Sequence, residues 1–181
     1  MKASNKRNTR AQGTVWNFLL DNAGEKFYLT QISQKTKISD STVHQILEKQ
    51  VKKGLVKKEK LGNLSLYLIN QSSPEVKLKK QLRTFLTLQP LIDQFKEWSE
   101  KIILFGSASL GEDTIKSDFD LFILSNEKDQ IYKIFSQSKL KDKVKLVVKN
   151  FLEYMEMKEK DKFFFEEVNK GKILWEKNEA V

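Results

Sequence analysis

Residues 104–124 read Leu104-Phe105-Gly106-Ser107-Ala108-Ser109-Leu110-Gly111-Glu112-Asp113-Thr114-Ile115-Lys116-Ser117-Asp118-Phe119-Asp120-Leu121-Phe122-Ile123-Leu124. An apolar strand, Ile102-Ile103-Leu104-Phe105, runs into a Gly106-Ser107 turn, and a second apolar strand opens on Asp118 and Asp120. Side chains alternate faces along a strand, so Asp118 and Asp120 project to one side, roughly 6 to 7 Å apart along the backbone. Two carboxylates so placed can share divalent cations. A Gly-Ser turn at a helix start offers backbone N–H groups that attract phosphate. Together these features predict a nucleotide-phosphate and metal site.

The 181 residues, 39% hydrophobic and 31% charged, suit one or two soluble globular domains. Cysteine is absent and His44 is the single histidine, which excludes disulfides, cysteine-ligated zinc and histidine metal clusters. A metal is therefore expected on oxygen ligands. No apolar run approaches the ~20 residues that span a bilayer, and Met1-Lys2-Ala3-Ser4-Asn5-Lys6-Arg7 leads into no signal-peptide core. A cytoplasmic protein with no membrane partner is expected.

The formal net charge of +9 is unevenly spread. Through residue 72 there are thirteen Lys and Arg against five Asp and Glu; after it there are twenty against nineteen. This imbalance predicts a nucleic-acid surface in the first part of the chain. A general lysine bias explains the number of lysines but not their unequal balance with acids.

Val15, Trp16, Phe18, Leu19 and Leu20 have helical spacing over Thr14 to Asn22, ending at Gly24. After Lys26-Phe27-Tyr28-Leu29, Thr30 is placed to cap a second helix over Gln31 to Thr36, and Ser39-Asp40-Ser41 signals a third. In that third helix Val43, Ile46, Leu47 and Val51 form an inward stripe. Ser41, Thr42, His44, Gln45 and Lys49 face outward, and Gly54 ends the run. Leu55 to Lys60, a Gly62-Asn63 turn and Leu64 to Ile69 then alternate as a β-hairpin. This order over residues 11 to 70 resembles the winged helix-turn-helix of transcriptional regulators. The resemblance implies a recognition helix from Asp40 to Lys53 whose Ser41, Thr42, His44, Gln45 and Lys49 face double-stranded DNA, with Lys57, Lys58 and Lys60 reaching phosphates from the wing. A winged helix used only for protein contact, with His44 as an ordinary surface residue, is the alternative. Winged helices often act as dimers, so a homodimer is also an expectation.

Asn70 to Glu75 is polar, with Ser72 or Ser73 as an N-cap and Pro74 in the first turn. Val76, Leu78, Leu82, Phe85 and Leu86 continue at helical spacing to Pro90, which is expected to interrupt or restart the helix before Leu91, Ile92, Phe95 and Trp98. The expected organisation is a DNA-binding domain over 1–72, a helical linker over 73–100 that packs on both sides, and an α/β domain over 101–181.

The second domain continues with a helix over Lys128 to Ser136, a strand over Val144 to Val148 and C-terminal helices, around a small mixed sheet. Gly106-Ser107, ten intervening residues and Asp118-Phe119-Asp120 resemble the minimal nucleotidyltransferases of the DNA polymerase beta superfamily. Phe165 to Glu176 is similar to the closing helix and terminal strand of that group. The whole is then an α+β chain, a winged helix-turn-helix followed by a nucleotidyltransferase fold. The resemblance implies transfer of a nucleoside monophosphate from a nucleoside triphosphate with release of pyrophosphate. It gives Asp118 and Asp120 the Mg2+ ions, Gly106 and Ser107 the phosphate tail, and Lys116 a nearby cation. An exposed loop role for Lys116, and solvated roles for Glu112 and Asp113, stand beside this.

Active members of that group usually carry a third carboxylate on a later strand, in a basic-Val-Asp-Leu-Val segment. This chain reads Lys143-Val144-Lys145-Leu146-Val147-Val148, so Lys145 takes that place. Asp142, Glu153 and Glu156 are the candidates for a substitute acid. Three functions follow as alternatives. One is a DNA-binding regulator that binds an Mg2+-nucleoside triphosphate and transfers its nucleoside monophosphate to an acceptor; another is a catalytically silent nucleotide sensor; the third is an antitoxin-like nucleotidyltransferase acting on a partner toxin.

Overall fold

A computed structural model describes residues 2–177, and the chain divides into two units, Met1–Leu78 and Lys79–Val181. In the first unit, α1 (Lys2–Asp21) starts well before the expected Thr14. Residues 2–13 lack apolar periodicity but also proline, and their Lys, Arg, Gln and Ala are good helix formers, so the helix anchored by buried Val15 and Leu19 extends through them.

After β1 (Phe27–Tyr28), α2 (Leu29–Thr36) begins one residue before the expected cap at Thr30. The Tyr28 N–H donates instead to the Gln31 side-chain oxygen at 2.8 Å, which satisfies the helix entry from the far side. Next comes α3 (Asp40–Lys52), preceded by extended Ser39. β2 (Val56–Leu61) and β3 (Leu64–Ile69) form the hairpin expected around Gly62-Asn63. The three strands are antiparallel in the order β1-β3-β2. Val43, Ile46 and Leu47 of α3 pack with Val15, Leu19, Ile32, Tyr67 and Ile69. Val51, expected beside them, is half-buried, and Gln50 is the fourth buried residue of the helix.

The division between the units falls inside α4 (Pro74–Phe95), which runs unbroken through Pro90. The break expected there is absent. A proline inside a helix costs about 3 kcal/mol, but Leu88, Leu91, Ile92 and Phe95 on both sides of it are buried. Full burial of each contributes about 1.5–3 kcal/mol, which outweighs one lost hydrogen bond. Leu78, Leu82 and Leu86, expected to be covered, are exposed.

A 3-10 turn (Lys96–Trp98) leads to β4 (Lys101–Phe105), α5 (Gly106–Leu110) and β5 (Phe119–Leu124). Then follow α6 (Lys128–Ser136), β6 (Val144–Lys149), α7 (Phe151–Lys160), α8 (Lys162–Asn169) and β7 (Lys172–Glu176). The sheet order is β6-β5-β4-β7; β5 and β6 are parallel and the other pairs antiparallel, giving the small mixed sheet expected.

Strand alternation divides the core of this unit in two. Ile102, Leu104, Leu121, Ile123, Val144 and Val148 face the buried residues of α4 and Ile131 of α6. Ile103, Phe105 and Phe122 face Met157 of α7 and Val168 of α8. Asp118, Asp120 and Lys145 share the parity of this second face. Among the described residues, no helix is long and apolar enough to cross a membrane.

Candidate functional site

The predicted motif folds as a strand, a one-turn helix and a returning strand. Antiparallel pairing sets Asp120 opposite Phe105, the last residue of β4, so its carboxylate arrives beside the turn that begins at Gly106. Gly106 has φ +66°, and a side-chain carbon there would lie 2.5 Å from Asp120 Oδ2. Both backbone angle and proximity therefore call for glycine. Ser109, buried, donates from Oγ to the Gly106 carbonyl at 2.7 Å, and the Glu112 N–H donates to the Ser107 carbonyl at 2.9 Å. Gly171 makes a similar close approach where α8 turns into β7, since a Cβ there would sit 2.6 Å from the Leu104 carbonyl oxygen.

The loop 111–118 is held at several points. The Lys80 side chain, 3% exposed, donates to the Asp113 carbonyl, and its ammonium lies 3.3 Å from Asp113 Oδ1. Gln81, next on α4, donates to the Ser109 carbonyl at 3.0 Å. Thr114 N–H donates to Ser117 Oγ at 2.9 Å, and Lys143 donates to the Ile115 carbonyl at 2.9 Å. Asp113 is thus no solvated loop acid: its side chain is 16% exposed and serves as an internal ion partner. Lys116 is exposed in the loop. Lys80 carried no sequence signal, because its partner is 33 residues away.

Asp118 lies just before β5 and Asp120 within it, both half-buried. The parallel register pairs Asp120 with Lys145 of β6, and the Lys145 ammonium rests 3.1 Å from Asp118 Oδ2. Burial pushes the Asp120 carboxyl above its ordinary value; the charges of Asp118 and Glu167 add to this, while Lys145 opposes it. The hydrogen bond to Asp118 holds the Lys145 ammonium above the usual lysine value. Glu167, on α8, is a neighbour of Asp120 that carries no motif signal in the sequence.

None of the acids considered as substitutes joins this pair. Asp142 is exposed in the turn before β6. Glu153 accepts from the Asn150 N–H at 2.9 Å, closing the N-terminal box of α7, and pairs with Lys128, which holds its carboxyl below the usual range. Glu156 is bonded to Lys160 at 2.8 Å. Among the described residues, no group of three His, Cys, Asp or Glu is gathered that could hold a metal ion. Two carboxylates fit one Mg2+, which often takes one or two protein oxygens and completes its shell with phosphate and water.

In the first unit, Ser41, His44, Gln45 and Lys49 are exposed on α3 and Thr42 is half-buried. Ser39 Oγ donates to Thr42 Oγ1 at 3.0 Å and lies 3.3 Å from Ser41 Oγ. Lys57 and Lys60 are exposed on β2. Lys58 instead reaches back to α3, bonding Glu48 at 2.7 Å with its ammonium 5.6 Å from the Tyr67 ring centre. Lys58 shares the parity of buried Val56, as Lys60 does, and the bond to Glu48 is what sets it apart.

Compared with known proteins, the chain is similar to a crystal structure from Sulfolobus solfataricus to which a nucleotidyltransferase role has been ascribed, with 15% identity and a TM-score of 0.41 over 60% of this chain and 94% of the other. No curated protein matches it. The sequence model of the family described as Polymerase beta, Nucleotidyltransferase matches residues 88–180, a little over half of the 181 residues, a span that includes Gly106, Asp118 and Asp120. On that match, the chain belongs to the polymerase beta nucleotidyltransferase family.

Proposed function

We propose that the chain is a DNA-binding regulator whose nucleotidyltransferase-fold unit binds an Mg2+-nucleoside triphosphate at Asp118 and Asp120. The observation that carries this reading is the packing of the Asp120 carboxylate against the backbone of Gly106, with Asp118 on the same face. A carboxylate pair beside a glycine turn can hold a cation and the phosphates it accompanies in one place. The proposed phosphate contacts are Gly106 and Ser107, with Lys116 as an exposed cation in the loop. When bound, Mg2+ neutralises phosphate charge. The chain's own part is to orient the triphosphate tail and leave the α-phosphorus open to an acceptor hydroxyl, whose attack would break the bond to pyrophosphate.

The first unit is proposed as a winged helix. Its support is the element order, the antiparallel β1-β3-β2 sheet and the positive charge concentrated before residue 73. Ser41, Thr42, His44, Gln45 and Lys49 would read the major groove, and Lys57 and Lys60 would contact phosphates.

The ion pair of Lys145 with Asp118 favours a second reading, a nucleotide sensor without turnover. An assay with α-labelled triphosphates and Mg2+ separates the two. Label on an acceptor that disappears in both Asp118→Ala and Asp120→Ala supports transfer. Nucleotide-dependent change in a DNA gel shift without label supports the sensor. Labelling that survives both substitutions, or neither response in the intact chain, would sink the proposal.

A further inference from the structure

The face that carries Asp118 and Asp120 also carries a cation of its own. Lys145 is the backbone register partner of Asp120 and the ion partner of Asp118, so one ammonium is bonded to the first carboxylate of the pair and near enough for its charge to act on the second. Its side chain is 70% exposed and free to extend into water, yet it lies 3.1 Å from Asp118 Oδ2. The fixed charge of the three groups is then −1. A site that holds two divalent ions places them about 3.5–4 Å apart between bridging carboxylates. Here a second dication would have to share Asp118 with an ammonium already on it; Glu167 is near enough for its charge to act on Asp120, but among the described residues no three His, Cys, Asp or Glu are grouped to hold a metal ion.

We propose that Lys145 is the resident second cation of this site: the Asp118–Asp120 pair takes a single divalent ion with a nucleoside triphosphate, and the Lys145 ammonium occupies the place of another. The proposal rests on the nucleotide-site reading above and specifies its metal stoichiometry. The phosphate tail would meet one exchangeable ion and one permanent charge. Lys145 therefore sets the number of ions taken up, independently of whether transfer follows.

The test counts Mn2+ bound to the full chain in the presence of a non-hydrolysable ATP analogue, by equilibrium dialysis and electron paramagnetic resonance. The wild type is expected to bind one Mn2+ per chain without spin coupling. Lys145→Asp is expected to bind two, with dipolar broadening from neighbouring ions. Lys145→Met should keep one and bind it about tenfold tighter, the effect of removing a unit charge close to a dication. Thermal melts of each variant establish that it is folded. Two ions in the wild type, one in folded Lys145→Asp, or unchanged affinity in Lys145→Met overturns the proposal while the nucleotide site stands. No Mn2+ and no nucleotide bound by the wild type overturns the nucleotide-site reading, and the proposal with it.

Discussion

A side-chain carbon on Gly106 would lie 2.5 Å from Oδ2 of Asp120, closer than any such pair can be. Gly106→Ala must displace the carboxylate or the turn, and it also strains a backbone at φ +66°. We expect a loss of about 1–3 kcal/mol in stability by urea unfolding. Mg2+-nucleotide affinity, measured by calorimetry under conditions where the variant remains folded, should fall by more than about tenfold, because the displaced group is the proposed ligand. Full affinity in the variant would show that Asp120 is not held for binding.

The Lys80–Asp113 pair is the second unit's internal clamp on the 111–118 loop. Removing one member leaves the other charge poorly solvated, so Lys80→Met and Asp113→Asn should each cost about 3 kcal/mol. The double variant should cost less than the sum of the two, since it removes both charges. Urea midpoints of the four proteins give the coupling directly. Strict additivity would mean that the two side chains do not depend on each other.

For Glu48 and Lys58 the effect follows pH. The hydrogen bond from Lys58 holds the Glu48 carboxyl below its ordinary value of 4.5, so the folded state binds the proton less tightly than the unfolded state. The contribution is therefore present in full above pH 4.5 and is lost as pH falls through the lower folded value. The two side chains are 32% and 30% exposed, and solvent reduces the pair to about 1 kcal/mol or less. Glu48→Gln should melt below the wild type at pH 7, with the gap closing in acid. A gap that persists undiminished at pH 3 would contradict this.

The same pair separates the basic residues of the hairpin. Lys57→Gln and Lys60→Gln should each lower the slope of log affinity for DNA against log salt by about one unit. Lys58→Gln should lower it less, since that ammonium is already bonded to Glu48. Binding measured from low to moderate salt on one duplex checks all three. Equal slopes in every variant would remove the hairpin from the interface.

Much of this architecture is written locally. The Gly62-Asn63 turn between alternating runs marks the hairpin, and the stripe of Val43, Ile46 and Leu47 marks the inner face of α3. Strand alternation puts Asp118 and Asp120 on one side, while the approach of Asp120 to Gly106 comes from the antiparallel pairing of β4 with β5. What was hidden depends on tertiary contacts. Polar residues 2–13 show no helical period, yet α1 extends through them. Pro90 reads as a break until the burial of Leu88, Leu91, Ile92 and Phe95 is known. Asp113 looks like a solvated loop acid because Lys80, its partner, is far away in the chain. Lys145 was visible as a substitution in the strand, but its bond to Asp118 was not.

The central claim is that Asp118 and Asp120 form an Mg2+-dependent nucleotide site. Calorimetric titration of the intact chain with a non-hydrolysable triphosphate, with and without Mg2+, tests it most directly. Binding that requires Mg2+ and is lost in both Asp118→Asn and Asp120→Asn is the predicted result. Absence of binding in the wild type, or binding that both folded variants retain, would contradict it.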